Sequence, residues 1–353
     1  MNSRTWRYGL VAVAVAAVAL VGFALLTGRD SGAQLTPNPT PSTGPGTTLG
    51  SLAYGLDGDI YVADWDGSDP ARIANGEPDT CNSYWGQRSM WSPDGRYLAY
   101  RSRWDDVCAG KVYISDPRGQ RITSFRGEGW DIAWSPDSTR LASWERLGRT
   151  IGIYGPDGVR QKLLTLPPGL IAGGDHDPVW SPDGASLVGP GGVEIPLDGS
   201  TPRRLPADDP RSHYGFWYSP DGARVAYLDK WGGELVVAAA DGSQARVLVP
   251  GGVQNPVWSP TSDRIAFAAS TGEAMTNMGP ATELRLVDVA SGTVTKLTGV
   301  GAFDQVIGFS PDGARILFSR ENANGAASLR SIRADGSGPR RIVTGTDSGE
   351  WQQ

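Results

Sequence analysis

Residues that build metal and thiol sites are scarce in this chain. Its 353 residues include two cysteines and two histidines. His-x-His, His-Glu-x-x-His and paired-cysteine motifs are missing, so there is no zinc signature and we expect no metal and no cofactor. A Gly-x-Ser-x-Gly nucleophile elbow is missing as well. A non-enzymatic role is therefore our leading expectation.

Positive charge is also in short supply. The chain carries 32 Lys and Arg against 38 Asp and Glu, a formal net charge of −6. Residues 1–29 hold three arginines and no acid, which leaves −9 for the remainder. An acidic domain without a basic stripe repels phosphate backbones. We therefore expect no nucleic-acid partner.

One long apolar run lies near the N-terminus. Residues 8–28 carry no charge, are rich in Val, Ala and Leu, and are long enough to cross a bilayer as a helix. Arg4 and Arg7 precede the run and favour a cytoplasmic N-terminus. We predict that residues 1–29 are a cytoplasmic tip and transmembrane signal anchor, which places the rest of the chain outside the cytoplasmic membrane. The alternative is a cleaved signal peptide and a secreted protein, because residues 31–33 are small.

A linker and a turn-rich body follow. Residues 30–50 are rich in Pro, Thr, Ser and Gly and are predicted to form a semi-extended linker without a core. Beyond it, an aromatic residue followed by Ser-Pro-Asp-Gly, or a close variant, recurs before an apolar run. The Ser-Pro steps begin at Ser92, Ser135, Ser181, Ser219, Ser259 and Ser310. Their spacings of 43, 46, 38, 40 and 51 residues are typical of the blades of a β-propeller.

Each copy contains two chain reversals. Pro sets φ for a turn, Asp tolerates the next position and Gly supplies a positive φ, so Ser-Pro-Asp-Gly is expected to join two antiparallel strands. A later Asp-Gly, for example Asp241-Gly242, lies between strand-like runs and predicts a hairpin. Each copy thus predicts four strands, a to d. The a–b and c–d turns are short, whereas the b–c and d–a loops are long and varied.

The two chain ends predict a closed ring. Seven b strands are expected, at Leu52, Leu98, Leu141, Leu187, Val225, Ile265 and Ile316. The first has no a strand before it, and Trp351 occupies the aromatic position of that missing strand. We predict an all-β, seven-bladed β-propeller over residues 51–353, closed by the C-terminal strand and preceded by one N-terminal transmembrane helix. Closure removes the open sheet edges of an arc.

The repeated stretch resembles that of a known family. Ser-Pro-Asp-Gly followed by Leu/Ile-Ala-Tyr/Phe, as at Leu98-Ala99-Tyr100, is similar to the WD40-like repeat of TolB-type propellers. That family includes periplasmic TolB and the propellers attached to some serine peptidases. The resemblance covers residues 51–353 and implies a rigid extracytoplasmic binding platform. It indicates architecture rather than function, and TolB carries an N-terminal α/β domain where this chain has the apolar run and linker.

Candidate binding residues fall in the b–c and d–a loops, which form one face of a propeller. Binding residues usually lie on irregular loops held by a rigid scaffold, and aromatic rings with acids and Arg suit a sugar or a peptide. The predicted ligand-binding residues are Trp85, Arg88, Trp104, Trp130, Asp131, His176, His213, Tyr214 and Trp231. The opposing interpretation is that the Trp residues wedge between blades and the charges are solvated.

The histidines suggest an enzymatic alternative. His176 and His213 fall in the d–a loops of consecutive blades, and Asp175 and Asp177 lie beside the first. This set could form an acid/base or metal site, or it could be polar loop residues without a ligand. Pairs of adjacent acids in the same face's loops lack the alternating spacing of a Ca²⁺ loop, so they support calcium only weakly.

The two cysteines of the chain predict a disulfide. Cys81 and Cys108 fall in loops on one face of one blade, so in an oxidising compartment we predict a disulfide between them.

The leading hypothesis is a membrane-tethered propeller that binds a protein or glycan partner outside the cytoplasmic membrane. The alternatives are a propeller hydrolase or lyase around the two histidines, and a structural or sensory component of an envelope complex.

Overall fold

The structure is a computed structural model of the full chain. The residues that it describes are 51–57, 59–74, 89–101, 111–126, 132–145, 150–166, 178–189, 192–205, 215–230, 232–276, 279–300 and 302–352. Their regular structure consists of 28 β-strands, and no α-helix occurs among them. None of the described residues therefore forms a helix that could span a membrane. The predicted anchor and linker lie outside these ranges and remain predictions.

The strands form seven four-stranded antiparallel sheets, so the predicted number of blades is confirmed. Blade 1 contains β28 (Gly349–Trp351), β1 (Leu52–Leu56), β2 (Asp59–Ala63) and β3 (Ala71–Ala74). Blade 2 contains β4 (Ser89–Trp91), β5 (Leu98–Arg101), β6 (Lys111–Ser115) and β7 (Arg121–Arg126). Blade 3 contains β8 (Ile132–Trp134), β9 (Leu141–Glu145), β10 (Thr150–Tyr154) and β11 (Arg160–Thr165). Blade 4 contains β12 (Val179–Trp180), β13 (Ser186–Gly189), β14 (Val193–Pro196) and β15 (Arg203–Arg204).

The remaining three blades repeat this a-b-c-d order. Blade 5 contains β16 (Phe216–Tyr218), β17 (Arg224–Leu228), β18 (Leu235–Ala239) and β19 (Arg246–Val249). Blade 6 contains β20 (Val253–Trp258), β21 (Arg264–Thr276), β22 (Gly279–Asp288) and β23 (Val294–Lys296). Blade 7 contains β24 (Phe303–Phe309), β25 (Arg315–Glu321), β26 (Ala327–Arg333) and β27 (Arg340–Thr344). All seven predicted b strands are present.

The C-terminal strand closes the ring, as predicted. β28 pairs with β1 in the register Leu52↔Trp351, and the Gln352 amide donates to the Ser51 carbonyl at 2.8 Å. The Trp351 side chain is buried, and its indole N–H donates to the Trp65 carbonyl at 2.9 Å. The a strand of each blade contacts the a strands of both neighbouring blades, including β24 with β28 and β28 with β4. The a strands therefore form a complete inner ring.

The Ser-Pro-Asp-Gly turns share one hydrogen-bond network. In five copies the buried or nearly buried serine hydroxyl donates to the turn aspartate at 2.5–2.7 Å. In all six copies the amide five residues after the serine donates to that hydroxyl at 2.9–3.0 Å. Blade 6 has Thr261 where the others have Asp, and Asp263 accepts the Ser259 hydroxyl instead. Buried polar groups need partners, and here the motif itself supplies them.

Adjacent blades are joined by packing and by hydrogen bonds between their a strands. The indole N–H of Trp134 donates to the Met90 carbonyl of the preceding blade, and Trp180 does the same to Ala133. Ser138 stands where most copies have Gly and has a φ of 59°. Its hydroxyl accepts the Asp94 amide of the preceding blade at 3.0 Å, so the strained residue also links two blades.

Candidate binding face

The ring has two faces with different chemistry. We call the set of a–b and c–d turns the turn face, and the set of b–c and d–a connections the loop face. Because strand direction alternates along a blade, all turns of one set lie at the same end of the ring. Each a–b turn and each c–d turn that the structure describes is short.

Aspartates on the turn face are engaged within their own turns. At Asp183 the Ser181 hydroxyl and the Ala185 amide hold the pKa of the carboxyl below its usual range. Ten turn aspartates have a lowered pKa: Asp66, Asp94, Asp137, Asp183, Asp198, Asp221, Asp241, Asp263, Asp288 and Asp335. These carboxylates stabilise the turns, since hydrogen bonds to a charged carboxylate favour its charged form.

Every residue predicted for ligand binding lies outside the described residues. This holds for Trp85, Arg88, Trp104, Trp130, Asp131, His176, His213, Tyr214 and Trp231, and equally for Asp175, Asp177, Cys81 and Cys108. Their placement on the loop face, the acid/base set and the disulfide therefore stay predictions. Three of these residues closely precede strands of the inner ring. β4 begins one residue after Arg88, and β8 begins one residue after Asp131. β16 begins two residues after Tyr214.

The described part of the loop face includes a buried ion pair on blade 7, at its boundary with blade 6. Asp304 on β24 is fully buried and receives both Nε and a terminal N–H of Arg320 at 2.6 Å. Thr298 donates to the same carboxylate at 2.8 Å. The Thr282 hydroxyl donates to the Asp304 carbonyl and accepts its amide, both at 2.6 Å. Charge and hydrogen bonding are satisfied together, which is the condition under which a buried charge is tolerated.

A second acid lies on the neighbouring blade 6, in the long hairpin of β21 and β22. Glu283 is buried and forms ion pairs with Arg285 at 2.6 Å and with Lys296. Burial opposes the charged form of Glu283, but the hydrogen bonds from Lys296 and Arg285 outweigh it and hold the pKa below its ordinary value. The carboxylate is thus fixed between two cations and links β22 to β23.

Blade 3 carries a partly buried tyrosine–glutamate contact. The Tyr154 hydroxyl donates to Glu145, and Arg160 approaches the other carboxylate oxygen at 3.4 Å. Burial, followed by the hydrogen bond to Glu145 and then the charge of Glu145, raises the pKa of Tyr154. Gly152 provides the room, because a Cβ there would lie 2.3 Å from a Glu145 oxygen. Phe125 of blade 2 stacks on the Tyr154 ring, so this group also joins two blades.

A cavity of about 240 Å³ lies at the turn-face end of the inner ring. Its lining includes Pro220, Pro260, Phe309, Trp351 and Glu350. The Glu350 carboxylate accepts the Trp91 amide of the next blade at 2.8 Å, so it serves the a-strand ring. Within the described residues no group of His, Cys, Asp and Glu could hold a metal ion.

Sequence reasoning missed Asp304, Glu283 and Glu350. The available signal was an acid inside a mostly apolar strand, as in Phe303–Phe309, which often marks a paired buried charge. Their partners could not be read from the sequence, since Arg320 is 16 residues from Asp304 and Trp91 is 259 residues from Glu350.

Comparisons with known proteins agree with this fold. No family model matches the chain. The uncharacterized peptidase YuxL of Bacillus subtilis (strain 168) is 29% identical over 29% of this chain and 21% of its own length. TolB from Acinetobacter baumannii has a TM-score of 0.52 and 18% identity over 86% of this chain and 66% of TolB. The periplasmic gluconolactonase of Pseudomonas aeruginosa has a TM-score of 0.56 and 16% identity over 87% of this chain and 99% of the gluconolactonase.

These similarities establish the fold of the chain. The chain spans about a fifth of the length of YuxL and 66% of the A. baumannii TolB chain. Identities of 16% and 18% establish the arrangement of strands, and a fold by itself does not define an activity. This chain has the fold of a TolB-like, seven-bladed β-propeller.

Proposed function

We propose that this chain is a non-enzymatic binding platform, held outside the cytoplasmic membrane, whose loop face binds a protein or glycan partner. The single observation that carries the proposal is the difference between the two faces. On the turn face, serine and aspartate side chains of each a–b turn are engaged in the turn or in the neighbouring blade. The varied residues, including the predicted aromatics, belong to the other set of connections. A rigid ring that carries varied loops is a usual arrangement for recognition.

The test compares one aromatic pair with a matched site on the opposite face. The full-length chain would be screened against a glycan panel and against isolated envelope proteins, with affinity measured for each positive. Trp104→Ala with Trp231→Ala is expected to weaken binding at least tenfold. Arg118→Ala, in an exposed c–d turn, is expected to leave the affinity unchanged. Equal affinities for both variants and the wild type would overturn the placement of the site.

An enzymatic function is the competing outcome. The P. aeruginosa protein with a similar fold is named a gluconolactonase, which makes lactone hydrolysis the first activity to assay. We expect no turnover of gluconolactones by the full-length chain. Turnover that is lost in His176→Ala and in His213→Ala would replace the binding proposal with the hydrolase alternative.

A further inference from the structure

Blade 7 turns three arginines and one aspartate toward blade 6. Asp304 pairs with Arg320 across β24 and β25, and Arg330 pairs with Arg341 across β26 and β27. Directly opposed residues of antiparallel strands lie on the same side of a sheet. Phe318 is directly opposite Arg330 and packs into the apolar cluster that joins blades 6 and 7. The four charged side chains are therefore on the blade 6 side, in what we call the interblade cleft.

The single carboxylate of the interblade cleft is already engaged. Asp304 is fully buried and makes a two-point ion pair with Arg320 while also accepting the Thr298 hydroxyl. Arg330 donates from Nε to the Ser328 hydroxyl at 3.1 Å, and among the described residues its four other N–H donors have no hydrogen-bond acceptor. Among the described side chains, the cleft thus holds three positive charges against one negative charge.

The unmatched arginines repel each other. Like charges directly opposite on neighbouring strands destabilise a sheet, and Arg330 and Arg341 are such a pair. Burial, then the charges of Arg320 and Arg341, lower the pKa of Arg330, and Asp304 offsets this only in part. Guanidinium groups stay protonated in proteins, so Arg330 cannot relieve the repulsion by losing its proton.

Blade 6 supplies no described carboxylate to neutralise the interblade cleft. The residues that it turns toward blade 7 are apolar or hydroxylic and include Ala268, Leu284, Leu297 and Thr298. The opening of the cleft is accessible, since Arg341 is exposed and Arg330 is half-buried. A small group from solvent can therefore reach both guanidinium groups.

We propose that the interblade cleft binds one oxyanion, a carboxylate or a phosphate group, between Arg330 and Arg341. Such a group has two or more acceptor oxygens, which match the fixed fork of donors on each guanidinium. The two groups would share the anion as they approach from adjacent strands, and the anion would remove their repulsion. The proposal is independent of the partner of the loop face.

The test measures the melting temperature of the full-length chain against anion concentration at constant ionic strength. Inorganic phosphate and acetate are the probes, and chloride is the reference. Binding to the folded state raises the melting temperature with ligand concentration. We expect a rise with phosphate, with acetate or with both, and none with chloride. The anion that gives the larger rise identifies the class of ligand, whereas identical curves for all three anions would overturn the proposal.

Two variants separate a binding role from a structural one. Arg330→Gln is expected to raise at least tenfold the anion concentration that gives the same rise in melting temperature. Without the anion, the melting temperature of this variant should equal or exceed that of the wild type, because a repelled charge is gone. A lower melting temperature in anion-free buffer would show a structural role and contradict the proposal. Arg340→Gln is the control, since Arg340 is adjacent on β27 and faces the opposite side. Its anion response should be unchanged, and an equal loss there would also overturn the site.

Discussion

The turn face is nearly the same in every copy of the repeat, whereas the loop face differs from blade to blade. On the turn face, six copies of nearly the same sequence make the same hydrogen bonds, and even blade 6 preserves them with Asp263 in place of the usual aspartate. On the loop face, the described blades differ from one another. Blade 7 has the buried Asp304–Arg320 pair, and blade 6 has a long hairpin with Glu283 between two cations.

This difference indicates that the repeated motif determines the architecture of the ring but does not determine the chemistry of the loop face. A motif that satisfies its own buried polar groups can recur in every blade, because it needs little from its surroundings. A paired charge such as Asp304 needs a specific partner on another strand. The same turn chemistry can therefore support proteins with unrelated partners, and comparison of folds alone does not identify the ligand.

The largest expected effect tests whether the closing blade resembles the others. Trp351→Ala removes a buried aromatic side chain and its bond to the Trp65 carbonyl. We expect a loss of about 3–5 kcal/mol in the free energy of unfolding, measured by urea denaturation. Trp351→Phe keeps most of the packing and should cost far less. A loss below about 1 kcal/mol for Trp351→Ala would mean that the C-terminal strand contributes little to the ring.

The next effect concerns the loop face. Asp304→Ala leaves Arg320 without its buried partner, and removing one member of a buried pair costs about 3–5 kcal/mol. The Arg320 side chain is 22% exposed and can regain some hydration, so we expect a value near the lower limit of about 3 kcal/mol. Glu321→Gln, at the half-buried position next to Arg320, is the matched control. Similar stabilities for the two variants would contradict the structural role of the pair.

A smaller effect is expected for one copy of the repeated turn. Ser310→Ala removes the hydroxyl that donates to Asp312 and accepts the Arg315 amide. The loss of a buried hydrogen-bonding group predicts about 1–3 kcal/mol, measured by thermal or urea unfolding. The same substitution at Ser219 should cost a similar amount, because the network is shared. Costs that differ several-fold between the copies would weaken the claim that the turns are equivalent.

The smallest effect is a dependence on pH. At Asp137, burial opposes the charged form, but hydrogen bonds from Ser135 and Thr139 and the charge of Arg140 lower the pKa to about 2. A lowered pKa stabilises the folded state above the unfolded value of about 3.9, and this stabilisation is lost as the pH falls through the folded value. The melting temperature should therefore fall between about pH 4 and pH 2. Asp137→Asn should be less stable than the wild type at pH 6, and the difference should shrink at pH 2; a constant difference would contradict the assignment.

The sequence allowed most of the fold to be predicted because its signals are local. Ser-Pro-Asp-Gly fixes a turn within four residues, and Trp351 completes a pattern that Trp91 and Trp134 already display. The charged groups between blades could not be predicted, since the Asp304–Arg320 pair depends on strand register and on the packing of blade 6. The predicted loop residues, such as Trp104 and His213, rest on sequence position alone.

Hydrogen–deuterium exchange at the C-terminus tests the closed ring most directly. In the full-length chain the Gln352 amide donates to the Ser51 carbonyl, and β28 pairs with β1 through Trp351. These amides should exchange as slowly as those of β24, the a strand of the preceding blade. Exchange of residues 349–352 at the rate of an unfolded chain would contradict closure of the ring and, with it, the division into two faces.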